Sequence, residues 1–144
     1  MFIGEYEHTL DVKNRLSMPR KFREVVETAQ EQPFFFITRG LDECLFVFTS
    51  SQWDNVVSGL STKPFTDSAT RRFQRLFFSN AVQVEMDKQG RILIPDTLRR
   101  IGGLKKNVTL VGVYTRIEVW DREKWKAVQA ASGGEYESLA QQLF

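Results

Sequence analysis

Asp11, Arg15, Pro19 and Arg23 return as Asp87, Arg91, Pro95 and Arg99, so the pattern D-x-x-x-R-x-x-x-P-x-x-x-R occurs twice at one offset (87 − 11 = 76). A repeat restricts the fold more than any other signal, because the chain must be built from two copies of one supersecondary unit. Leu16, Met18 and Phe22 correspond in the same way to Ile92, Ile94 and Leu98. Further along, Gly40, Leu45, Val47, Phe48 and Trp53 answer to Gly112, Ile117, Val119, Trp120 and Trp125 at an offset smaller by four (125 − 53 = 72). The polar run from Val26 to Gln32 is the expected place for those four extra residues, as a longer loop. The resulting division is a first repeat over 5–50, a helical connection over 51–80, a second repeat over 81–124, and a C-terminal helix and tail over 125–144.

Each copy opens with a two-residue alternation, Tyr6, His8 and Leu10 in the first and Val82, Val84 and Met86 in the second, which predicts a half-buried strand. Leu16 and Met18, or Ile92 and Ile94, restore the apolar face beyond a three-residue break. Such a break in a hairpin is commonly a type I turn closed by a residue in the left-handed region. Asn14 and Gly90 occupy that position, and both tolerate it. Asp11 with Arg15, and Asp87 with Arg91, then flank the two turns on the outer face. An exposed ion pair by itself contributes little to stability. The same pair at the same turn position in both copies points instead to binding, with each Asp orienting a projecting Arg and Lys13 or Lys88 at the tip.

Pro19 and Pro95 fit the start of a helix, where a missing N–H costs nothing. Two apolar strands follow in each copy, Phe34 to Arg39 with Cys44 to Phe48, and Val108 to Val111 with Arg116 to Trp120. Thr49 with Gln52 forms a capping box, and Asp121 stands at the matching position as a cap, so a short helix anchored by Trp53 or Trp125 is expected after each copy. Between the copies, Phe65, Ala69, Phe73, Leu76 and Phe77 share one helical face, with Arg71, Arg75 and Phe78 on another. Beyond Gly134, Tyr136, Leu139, Leu143 and Phe144 form a short apolar stripe.

Composition narrows the function. With 42% apolar and 26% charged residues among 144, the chain reads as one ordinary globular domain. No apolar run approaches the roughly 20 residues that span a bilayer, and the first residues lack the pattern of a signal peptide, so a cytoplasmic location is expected. A single cysteine, Cys44, and a single histidine, His8, leave no soft-ligand cluster for a metal and largely exclude the usual nucleophile–base pairs. Both are expected to serve packing. Phosphate-binding loops, dinucleotide fingerprints and zinc-protease motifs are absent, so neither catalysis nor a cofactor is expected. Net charge is only +2, but Lys88, Arg91, Arg99, Arg100, Lys105 and Lys106 stand against Asp96 alone in one segment. Such a distribution suits an anionic partner or a solvated face.

The segments Asp87 to Pro95 and Arg116 to Asp121, with Met1 to Tyr6, resemble the MraZ family, bacterial transcriptional regulators related to AbrB, SpoVT and MazE. The likeness covers essentially residues 1–131, and the doubled D-x-x-x-R is its specific hallmark. The resemblance implies an α+β fold in which two AbrB/MazE-like swapped-hairpin halves form one double-split β-barrel with short peripheral helices. It implies a homo-oligomeric ring displaying its hairpins to double-stranded DNA, with no membrane or small-molecule partner and a nucleoid association. It also implies short direct repeats as targets, upstream of the division and cell-wall gene cluster that includes the regulator's own promoter, bound usually for repression. Carried over by position, the DNA-binding residues are Asp11, Lys13, Asn14 and Arg15, with Asp87, Lys88, Gln89, Gly90 and Arg91. Arg15 and Arg91 are expected in the groove, against guanine edges, with Lys13 and Lys88 on phosphate. The competing expectation is a ring-shaped protein-interaction scaffold whose DNA binding is incidental.

Overall fold

A computed structural model describes all residues 1–144. The fold is α+β, with eight strands and six helices. The first copy runs through β1 (Phe2–Thr9), β2 (Arg15–Ser17), α1 (Arg20–Thr28), β3 (Phe34–Arg39), β4 (Leu45–Phe48) and α2 (Ser50–Ser61). Helix α3 (Ser68–Ser79) leads to the second copy: β5 (Val82–Glu85), β6 (Arg91–Leu93), α4 (Asp96–Ile101), β7 (Asn107–Tyr114), β8 (Ile117–Asp121) and α5 (Arg122–Gly133). Helix α6 (Tyr136–Leu143) closes the chain.

The copies are woven together. Six antiparallel strands form one sheet in the order β1-β7-β8-β4-β3-β5, and β2 pairs with β6 in a separate two-stranded ribbon. The first strand of each copy therefore lies against the third strand of the other. The order also reads the same when the copies are exchanged, which places a pseudo-twofold axis at the middle of the sheet. The registers locate it. Leu16 opposes its own repeat equivalent, Ile92, in the ribbon, and Phe46 opposes Glu118 between β4 and β8.

Alternation decides what each strand buries. Leu16 and Ile92 point inward from the ribbon, and Phe35, Ile37, Val47, Val108, Leu110 and Val119 point inward from the sheet. Phe22 and Leu98 fill the remaining space from α1 and α4. Burying these side chains from both copies in one core makes neither copy complete alone. Cys44 is buried with its thiol against the Leu41 carbonyl (3.1 Å), and burial pushes its pKa up to about 12, as suits an unreactive packing residue. His8 is half-buried, on the same alternation as Tyr6 and Leu10.

The structure relocates the extra residues of the first copy. Both α1 and α4 end in the same left-handed cap, with Gln30 (φ 52°) and Gly103 (φ 62°) at the turn. In each, the next amide reaches back to the helix, Glu31 to Val26 and Leu104 to Arg99. The offset has already fallen to 73 at that cap (103 − 30 = 73), so three of the four residues lengthen α1 by nearly a turn rather than a loop. The fourth lies between β3 and β4, because Arg39 pairs with Leu45 where Gly112 pairs with Ile117. Gly112 is thus the counterpart of Arg39, not of Gly40. It is needed where it stands, since a Cβ there would lie 2.6 Å from the Ile3 nitrogen of the edge strand.

At the helix starts, the capping box forms at α2, with Thr49 accepting from the Gln52 amide and donating its own amide to the Gln52 side chain. Asp121 differs from its expected role. It stands at the start of α5 but makes no side-chain cap there, and accepts instead from the Lys105 amide (3.2 Å), tying α5 to the segment before β7. Trp53 stacks between Phe36 (4.8 Å) and Phe77 (5.7 Å) and meets Phe78 edge-on (6.0 Å), and the buried Thr38 hydroxyl donates to the Phe77 carbonyl (2.6 Å), so Phe77 is the buried anchor of α3. Of the expected inner face, Phe65 falls in a turn ahead of α3 rather than on the helix, because Asp67 caps its start, and Ala69, Phe73 and Leu76 are exposed. No helix is long and apolar enough to cross a membrane.

Candidate nucleic-acid interface

Each hairpin is locked by its aspartate in the same way. At the first turn, the Asp11 amide donates to the Arg15 carbonyl (3.1 Å) and the Asn14 amide to the Asp11 carbonyl (3.0 Å). Oδ1 of Asp11 accepts from the amides of Lys13 and Arg15 (2.9 Å each), and Oδ2 accepts from Nε of Arg15 (2.6 Å). The second turn repeats all five bonds: Asp87 to Arg91 (2.8 Å), Gly90 to Asp87 (3.0 Å), Gln89 and Arg91 to Oδ1 (2.8 and 3.0 Å), and Nε of Arg91 to Oδ2 (2.8 Å). Asn14 (φ 60°) and Gly90 (φ 76°) take the left-handed conformation expected of them. The carboxylate thus does two jobs. One oxygen closes the turn and the other fixes the guanidinium.

Those bonds hold the carboxylates ionised. Backbone donation from Arg15 is the largest cause, followed by its side chain and the Lys13 amide, and Asp11 falls to about 2; Asp87 is lowered for the same reasons. A depressed carboxylate pKa contributes stability that is fully present above its unfolded value of 3.8 and is lost as pH falls through the folded value. The turn geometry is therefore expected to be constant from pH 5 to 8. NMR titration of the Lys13 and Arg15 amides should show a midpoint near 2, and a midpoint at the ordinary carboxylate value would contradict the lock.

The two hairpins form one surface. The Met18 amide donates to the Gly90 carbonyl (2.8 Å) and the Ile94 amide to the Asn14 carbonyl (2.9 Å), a reciprocal exchange across the axis. With Leu16 and Ile92 pointing inward, Arg15, Ser17, Arg91 and Leu93 share the outer face of the ribbon. Arg15 opposes Leu93 and Arg91 opposes Ser17, so the two arginines are diagonal neighbours, about 7–8 Å apart at the strand. Nη1 of Arg91 also lies 3.9 Å from Asp11, which links the two ion pairs. Lys13 and Lys88 stand exposed at the tips, and neither ammonium group forms an ion pair.

All nine expected residues thus fall on two adjoining turns. Sequence reasoning left Arg23 and Arg99 without a role, although both belong to the repeated pattern. Arg23 lies across the opposite hairpin, so that a Cβ on Gly90 would meet its Cδ and Nη1 at 2.9 Å. Arg99 donates to the Leu104 carbonyl (3.2 Å) and shares a cleft with Asp11, Val12 and Asn14. Their recurrence twelve residues after each aspartate was the available signal. Val12, fully exposed at the first tip, was also missed. No cluster of His, Cys, Asp and Glu is placed to hold a metal.

A doubled unit that exchanges strands and presents matched Asp–Arg hairpins defines a two-repeat protein with one composite surface. This chain belongs to the MraZ family: the family described as "MraZ protein, putative antitoxin-like" matches it twice, over residues 1–76 and 77–142. It is also 46% identical over 143 residues to the transcriptional regulator MraZ of Acetivibrio thermocellus, covering 99% of this chain and 96% of that protein.

Proposed function

We propose that the chain is a sequence-specific, DNA-binding transcriptional regulator whose contact surface is the pair of D-x-x-x-R hairpins. In this reading Arg15 and Arg91 enter the major groove of duplex DNA, and Lys13 and Lys88 neutralise flanking phosphates. Asp11 and Asp87 orient the arginines, while Asn14, Gln89 and Gly90 complete the turns. The observation that carries the reading is the matched five-bond lock, which holds two guanidinium groups side by side on one rigid ribbon. The name of the Acetivibrio thermocellus relative supports it.

The strand exchange favours describing the molecule as two swapped-hairpin halves of a double-split β-barrel. A single protomer offers only a few cations to phosphate, and affinity built on so few neutralised phosphates is weak. A homo-oligomeric ring engaging several short direct repeats would multiply it through effective concentration. The targets proposed are repeats upstream of the division and cell-wall gene cluster, including the chain's own promoter, with repression as the outcome and the nucleoid as the place of action.

The test is an anisotropy titration of the full chain against duplex from its own upstream region and a scrambled duplex, across a range of salt. Preference for the upstream duplex is expected. Lys13→Ala should weaken both duplexes alike and make the plot of log K against log salt shallower by about 0.9 for each phosphate that is no longer neutralised. Equal affinity for both duplexes, or salt-independent association, would contradict the proposal.

A further inference from the structure

Two helices leave the body of the fold at corresponding places, and only one of them is seated. Helix α3 follows α2 as α6 follows α5, so the two are counterparts in the repeat. Phe77 anchors α3 against Trp53. Trp125, the counterpart of Trp53, has no such cover: its indole donates to Glu5 (3.0 Å) and its ring meets Trp120 (5.5 Å). Helix α6 buries no residue, although Tyr136, Leu139 and Leu143 recur at the i, i+3, i+7 spacing of one face. All three are exposed, and Phe144 extends the stripe. Gly133 and Gly134, both in open space, join α6 to α5. A helix of eight residues is marginal in water by itself, so it gains stability by laying its apolar face on another surface.

A complementary surface lies on the first copy. Leu41, Phe46, Val56, Leu60 and Phe73 line a groove of about 340 Å³ against α2 and α3, and no residue of α6 lines it. Arg116 closes one side, with its guanidinium over the Phe46 ring (5.0 Å) and paired with Glu118 (2.9 Å). Charge makes this groove the fitting one. Along α3, Arg71 and Arg72 bond only to backbone carbonyls, Arg75 is exposed, and none of the three forms an ion pair. Beyond Lys126 the chain carries Glu135 and Glu137 and no basic residue. The groove between β1 and α1 is larger, about 630 Å³, but Lys21 and Glu24 leave it without net charge. Asp42 and Glu43 border the Leu41 end of the smaller groove, which sets a direction. The acidic first turn of α6 belongs toward α3, and its neutral end, Leu143 and Phe144, toward Leu41.

We infer that α6 of one protomer docks in this groove on a second copy of the chain. Tyr136, Leu139 and Leu143 then cover Phe46 and Phe73, and Glu137 faces Arg75. The inference deepens the homo-oligomeric reading above by assigning its interface. The two surfaces differ, so the contact is head-to-tail: a protomer that has given its tail still offers its groove. Such contacts propagate, and they close into a ring where the rotation allows. A two-turn helix covers far less than the area of a stable dimer. Closure compensates, because each subunit of a ring is held at two such contacts at once.

Sedimentation velocity of the full chain over a range of concentration tests this. The wild type should associate. The tail variant, Leu139→Glu with Leu143→Glu, and the groove variant, Phe73→Glu, should each weaken association by at least about 10-fold while circular dichroism shows them folded. Mixed together, the two variants should form a heterodimer that grows no further, because only one intact tail meets one intact groove. Arg75→Glu and Glu137→Arg should each weaken the assembly, and the two combined in one chain should restore it. This exposed pair carries the test if Phe73→Glu fails to fold, and absence of rescue overturns the inference. Wild-type sedimentation of both the tail and the groove variants overturns it too, while leaving the oligomer to another surface. Lower thermal stability of the tail variant at unchanged mass would seat α6 on its own protomer, which also overturns it. A wild-type chain that is monomeric at every concentration would remove the homo-oligomeric reading as well.

Discussion

Replacing Arg15 and Arg91 together by alanine should reduce affinity for the upstream duplex by roughly 30- to 10⁴-fold, since each guanidinium–guanine pair is worth about 1–3 kcal/mol. The loss comes from both ends of each ion pair. Alanine removes a bidentate donor, and it leaves the carboxylates of Asp11 and Asp87 facing phosphate without their cation. Folding should survive, because Oδ1 of each aspartate is held by backbone amides that the substitutions do not touch. The companion variant, with lysine at both positions, separates charge from geometry. It should keep much of the salt dependence while losing sequence discrimination, because an ammonium is a point charge and cannot make the planar fork. Unchanged anisotropy curves for the alanine pair would defeat the assignment of the site.

Leu16→Ala should be strongly destabilising, lowering stability by about 2–5 kcal/mol, the usual range for a fully buried leucine. For a domain of this size that corresponds to a fall in melting temperature of roughly 5–20 °C. The effect is large because Leu16 sits at the axis opposite Ile92, where the two copies close on each other. A cavity there loosens the ribbon that aligns both hairpins, so DNA affinity should fall with stability. Ser17→Ala, at the exposed neighbour in the same strand, is the control and should change stability by less than about 0.5 kcal/mol. Calorimetry that found the two variants equal would remove the axis from its structural role.

Local chemistry was legible in the residues themselves. The left-handed positions at Asn14 and Gly90, the Asp–Arg pairing across each turn and the capping box at Thr49 are all set by residues within a few positions of one another. What was not legible depends on distant partners. Alternation in Tyr6, His8 and Leu10 says that one face is buried but not against which strand, so pairing of β1 with β7 has no local signature. The polar run from Val26 to Gln32 reads as a loop that takes the extra residues of the first copy, yet a surface helix is polar on its outer side, and α1 extends to Thr28. Asp121 had the right type and place for a cap, but the Lys105 amide was the partner that tertiary structure supplied. The arginines at 23 and 99 were visible in the repeat and silent in role, since each works on the other copy's hairpin.

Formaldehyde cross-linking of the unmodified chain to its upstream duplex, followed by mass spectrometry of the nucleotide-bearing peptides, interrogates the contact surface without any substitution. Adducts should concentrate on Lys13 and Lys88, the exposed tip lysines beside the two locked arginines. Adducts confined to Lys63, Lys124 or Lys126, with both tips unmodified, would place DNA elsewhere on the molecule and contradict the account.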